Sequence, residues 1–304
     1  MRRRLSVGLA LLVSLAIGHV GVAPHAPAQA TKSPRVVSEQ TATGFKFPES
    51  VAYDPQGKVL YVSQFGSELK PLEKDGKGKI SRVSLDGKVL DEQFLPAAGG
   101  VLNKPKGIWI QGDRLWTTDI DVAWVFDLKT RRGKKVDLPG AQFANDPAVK
   151  DNVLYVSDNR GDRVYRVEPA DFLDKGDPKV SVAVSGKSLN PNGLYPGREG
   201  VLIVGFLAPD QPRGIYVLSP NGEVKPLATD VGRLDGIYQL DDGTLLVTDW
   251  NSGSLVHWSP QGTHALAKGF KGPADFGVAA EPGGLLVVVP DLVKGELRII
   301  RLAR

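Results

Sequence analysis

The chain has 304 residues, 41% of them hydrophobic and 24% charged, with no cysteine, so disulfides, thiolate metal sites and thiol nucleophiles are excluded and stability must come from packing. The formal charge of +4 owes most of its excess to Arg2-Arg3-Arg4; beyond residue 30, 35 basic side chains face 34 acidic ones. That near balance removes the electrostatic footprint expected of nucleic-acid binding or of attachment to an anionic membrane.

In chain order, the basic start is followed by an apolar stretch from Leu5 to Gly18, too short to span a bilayer comfortably, and by the small-x-small site Ala28-Gln29-Ala30. Residues 1–30 therefore read as a secretory signal, with Thr31 the first mature residue and no stable membrane insertion of the mature chain. The protein is expected to be exported, either periplasmic or secreted. Residues 31–44 read as a polar lead-in, of which about 33 to 43 are expected to complete the last structural unit. From residue 45 to 304 a single pattern recurs: a polar Asp/Asn/Glu-containing turn, a strand, a second turn, and an apolar strand ending in a polar or acidic residue. Examples are Pro48-Glu49-Ser50-Val51 leading to Val59-Leu60-Tyr61-Val62-Ser63-Gln64, and Leu234-Asp235-Gly236-Ile237 leading to Leu245-Leu246-Val247-Thr248-Asp249.

Taking Glu49, Lys106, Asn145, Asn192, Asp235 and Asp275 as equivalent points, the intervals are 57, 39, 47, 43 and 40 residues. A period near 40 to 45 built from short strands is the signature of a β-propeller with four strands per blade, so the expected fold is all-β, a six-bladed β-propeller in a single domain. The long first interval is explained by the Lys/Glu/Gly-rich segment Ser67 to Lys79, read as a solvated loop between the first two strands of its blade, or as a lid over the channel mouth. Third strands are expected at 123–127, 163–167, 214–218, 254–258 and 296–300. No helix-period stretch of useful length lies beyond the leader.

The turns before the first strands converge on the channel of such a ring. They bring several carboxylate and amide oxygens to one mouth, a donor set that suits a hard divalent cation. The plain alternative is that Asp, Asn and Gly form turns; Glu49 argues against it, because Glu is a poor turn residue. Asp275 offers a further acid near the mouth or a turn former, and Lys106 a cation able to orient an anionic group or one simply solvated at the channel rim. His257 and His264, both on blade-five strands, are the only histidines beyond the leader, which leaves little scope for a Ser-His-Asp triad, and zinc-type nitrogen and sulfur ligands are scarce.

The succession of Pro48-Glu49-Ser50, Asn145-Asp146, Asn192-Gly193-Leu194 and Asp235-Gly236, one per blade, resembles the senescence marker protein (regucalcin)/gluconolactonase family of six-bladed propellers. The resemblance implies a divalent cation at the channel mouth, usually Ca2+, with Zn2+, Mg2+ or Mn2+ as substitutes. It implies Glu49, Asn192 and Asp235 as side-chain ligands, Asn145 beside the ion and touching the substrate, and Asp235 also as general base or nucleophile. The implied activity is hydrolysis of a small lactone or ester. One position departs from the pattern: where sugar-lactone hydrolases of the family carry an arginine two residues before the blade-three Asn, this chain has Phe143, which points to a less polar small-molecule substrate or to a phenylalanine simply buried under the turn. Two other readings remain open from the sequence: a non-catalytic propeller in which a structural ion ties the blades of a ligand- or protein-binding platform, and a metal-independent lyase or synthase, which leaves Glu49 without a task.

Overall fold

The computed structural model describes residues 33–303; the expected signal segment, residues 1–30, lies outside them. Six four-stranded antiparallel sheets follow one another around a ring. Five blades are built from consecutive strands, and in the sixth the outer strand is Arg35–Thr43, paired antiparallel with the C-terminal strand Glu296–Ala303. The ring is thereby closed by its two ends and leaves no bare edge at the joint. No helix long and apolar enough to cross a membrane occurs among the described residues.

The second strands, such as Val153–Asp158 and Leu245–Asp249, are buried along their whole length because each is covered by neighbouring blades on both faces. Apolar side chains from adjacent blades form shared clusters: Trp116 and Val125 of blade two pack with Leu154 and Tyr165 of blade three, and Leu246 and Leu255 of blade five with Leu285 and Ile300 of blade six. Residues 65–78 form a loop that joins the second strand of blade one (Val59–Gln64) to the third (Lys79–Val83). The expectation that it lies between the first two strands is corrected, because those are closed by the short turn at 55–58, where Asp54 accepts the Gln56 N–H at 2.9 Å. The loop is fastened by Lys104, which is fully buried and donates to Asp75 Oδ2 at 2.7 Å and to the Phe65 carbonyl at 3.0 Å.

Two side-chain devices repeat around the ring. The acidic residue ending a second strand accepts backbone N–H groups from the loop that enters its own blade: Asp119 from Asn103 and Lys104, Asp158 from Phe143, Asp249 from Arg233, and Asp291 from Lys271 and Gly272. The hydroxyl one residue earlier ties blades together. Ser157 accepts the Asp146 N–H at 2.8 Å and donates to the Asn192 carbonyl at 2.6 Å, and Thr248 accepts the Gly236 N–H at 2.7 Å and donates to the Ala274 carbonyl at 3.0 Å. These recurrent aspartates thus hold the loops that aim the channel residues.

Candidate functional site

Glu49, Lys106, Asn145, Asn192 and Asp235 are each the second residue of an innermost strand, and in all five blades the pairing register slips there. The expectation that these positions are turns is corrected: they are β-bulges, which re-aim one side chain into the channel while the strand continues. The glycines that come next in the chain have a different cause from turn formation. A Cβ on Gly193 would stand 2.1 Å from the Asp235 carbonyl oxygen, and one on Gly107 2.7 Å from the Asp146 Cα. Each glycine is required by the close approach of the next blade's inner strand.

Glu49, Asn145, Asn192 and Asp235 line one cavity of about 270 Å³, together with Phe143. All four polar side chains are at least 95% buried. Glu49 Oε2, Asn192 Oδ1 and Asp235 Oδ1 have no hydrogen-bond partner, although buried oxygens normally find one. Asp235 Oδ2 accepts the indole N–H of Trp250 at 2.9 Å. Trp250 also packs with Phe65 and Leu292 and lines the cavity; its place directly after Asp249 is the sequence signal that sets it near the channel, although a core role is the plainer reading of each tryptophan.

Lys106 is fully buried beside this cavity, its ammonium 4.5 Å from the Phe143 ring centroid and 5.7 Å from that of Phe65, instead of solvated at a rim. Asp275 does not line the mouth cavity. It lies further along the channel in a second cavity with Asp146, where it accepts the Ser50 hydroxyl at 2.5 Å. Ser50 accepts in turn the Ile108 N–H at 3.1 Å, and Asp146 accepts that of Leu194 at 2.6 Å, so both residues clamp the bulge of the next blade.

Four buried carboxylates in one channel repel their own ionisation. Burial, and then the neighbouring Asp235, hold Glu49 well above the usual glutamate range, against the attraction of Lys106. Burial followed by Asp275 pushes Asp235 up to about 8, opposed by its bond to Trp250 and by the neighbouring Asn192 amide. Burial raises Asp275 to about 7 and, with Asp275 as its next cause, raises Asp146 too, while burial lowers Lys106 to about 8. Among the described residues no group of three or more His, Cys, Asp or Glu side chains is placed to hold a metal ion. The mouth set mixes two acids with two amides. Three unpartnered buried oxygens drawn from three blades, all hard donors, fit a divalent cation of the calcium type.

No protein family and no curated protein is matched by the sequence. Solved structures do match. One is a provisionally assigned gluconolactonase, at 15% identity and a TM-score of 0.62, covering 89% of this chain and 98% of the other. A catalytically inactive virginiamycin B lyase from Staphylococcus aureus with quinupristin matches at 14% identity and 0.55, covering 88% and 100%. The structure of a nidogen/laminin complex matches at 14% identity and 0.54, covering 88% and 97%. At these identities the likeness is one of fold, the six-bladed propeller, which hosts unrelated functions.

Proposed function

We propose that this chain is an exported, divalent-cation-dependent hydrolase of a small lactone or ester. The observation that supports it is the trio of buried, unpartnered oxygens, Glu49 Oε2, Asn192 Oδ1 and Asp235 Oδ1, facing a cavity with room for a substrate. Glu49, Asn192 and Asp235 would hold the ion, with Asn145 beside it; calcium is the first candidate, and zinc, magnesium or manganese the substitutes. When bound, the cation supplies Lewis-acid polarisation of the acyl oxygen.

The protein's own part is positional and protonic. The Phe143, Phe206 and Trp250 side chains shield the reacting carbonyl from bulk water. The Trp250 N–H fixes Asp235 through Oδ2 and leaves both lone pairs of Oδ1 open, one that would face the ion and one to take a proton from the attacking water. The water oxygen bonds to the acyl carbon, the acyl C–O bond breaks, and the proton held at Asp235 passes to the leaving alkoxide, giving an acid and an alcohol.

Calcium titration by calorimetry on wild type, Glu49→Gln and Asp235→Ala, with folding checked by circular dichroism, tests this reading. One ion per chain in wild type, none in either variant, and lactone opening that stops with chelator are expected. Equal binding by the variants overturns the site, and chelator-resistant turnover overturns the mechanism.

A further inference from the structure

The wall of the mouth cavity indicates the substrate class, an inference that rests on the hydrolase reading above. Phe65 comes from blade one, Phe143 precedes the inner strand of blade three, Phe206 follows the second strand of blade four and Trp250 that of blade five, so four aromatic rings from four blades surround the ion-facing oxygens. Leu69 and Pro71 of the 65–78 loop close the rim above them.

The rings are held in place. Lys106 sits against Phe65 and Phe143, Asp158 holds the Phe143 N–H at 2.8 Å, and Phe206 meets Trp250 edge-on at 5.4 Å. A polyhydroxylated sugar lactone would bury hydroxyls against this wall with few partners, and each such loss is costly.

Two arginines stand at the cavity. Arg160 lies 5.1 Å over Phe143, and Arg233 4.1 Å over Phe206 and 5.4 Å over Trp250. Neither guanidinium has an acidic partner within salt-bridge distance among the described residues, a state they share with Arg82, Arg198 and Arg213, but these two alone of the unpaired arginines line the mouth cavity. Arg233 spends its Nε–H on the Leu207 carbonyl at 2.8 Å, which holds the rest of the group at the cavity.

We infer that the substrate is an amphipathic lactone or ester, with an apolar alkyl or aryl body seated among Phe65, Phe143, Phe206 and Trp250 and a carboxylate reaching Arg160 and Arg233. Apolar surface and rim charge select it together, and a neutral polyol satisfies neither.

The probes are γ-lactones of increasing alkyl length, with and without a terminal carboxylate, compared with gluconolactone. Calorimetric binding of the matching ring-opened acids is measured separately on metal-free and calcium-loaded protein. Each added methylene should improve kcat/KM and affinity roughly fourfold until the cavity is filled. The terminal carboxylate should add roughly fivefold at low salt, lost in Arg160→Gln and in high salt. Phe206→Ser should abolish the chain-length gain. Chain-length-dependent binding without turnover upholds the substrate class and sinks the hydrolase. Turnover of gluconolactone with no dependence on chain length or carboxylate does the reverse, and neither binding nor turnover sinks both.

Discussion

Replacing Trp250 by Phe keeps an aromatic ring against Phe65 and Leu292 but removes the N–H that Asp235 Oδ2 accepts at 2.9 Å. The buried carboxylate then loses the side-chain donor that Oδ2 has, while Oδ1 already has none. A hydrogen bond to a charged group contributes about 1.5–3 kcal/mol, and at about 1.36 kcal/mol per pKa unit its loss raises Asp235 by roughly one to two units above its present value of about 8. An ion bound by the ionised carboxylate should therefore bind roughly 10- to 100-fold more weakly at pH 7, with the deficit closing near pH 10, where both proteins are ionised. Calcium titrations of wild type and variant from pH 6 to 10 read this directly. An affinity within twofold of wild type at pH 7, or a deficit independent of pH, refutes the coupling of Trp250 to the ion site.

Three further outcomes are expected. Asp275 and Asp235 have folded-state values of about 7 and 8, above the unfolded carboxylate value near 4. Between those limits the folded chain retains protons that the unfolded chain has released, so their contribution to stability falls as pH rises from about 4 to 8 and then levels off. Melting temperatures in chelator should follow that decline and lose it when calcium is added; a rise across the same window with chelator present contradicts it. Thr248→Val strips partners from the buried Gly236 N–H and the Ala274 carbonyl and should lower unfolding free energy by roughly 2–6 kcal/mol, read from denaturant midpoints; a loss under about 1 kcal/mol denies the inter-blade stitch its weight. Asp75→Ala leaves the Lys104 ammonium buried without its carboxylate, costs about 3–5 kcal/mol, and should speed proteolytic cleavage within residues 65–78; unchanged cleavage shows that the staple does not hold the loop.

The periodic alternation of apolar strands and polar breaks is enough to identify a propeller, because blade architecture depends on local strand length and on a repeat visible along the chain. Glu49, Asn145, Asn192 and Asp235 are legible for the same reason: each recurs at the start of an inner strand, and a ring brings equivalent positions to one axis. The role of the dipeptides Asn192-Gly193 and Asp235-Gly236 is not legible, since a turn glycine and a glycine crowded by the next blade look identical in one dimension.

Only the tertiary structure decided which neighbours those residues have. Arg160, Arg233 and the Lys104–Asp75 pair reach the mouth or its loop from scattered positions, and no local pattern marks them. Asp275 occupies the equivalent repeat position and yet faces the other cavity, because its blade starts the inner strand later, at Gly277, and its carboxylate turns to Ser50. Repetition along the chain carries what is common to all blades; the contacts that distinguish one blade from another cross between strands dozens to hundreds of residues apart, and packing alone sets them.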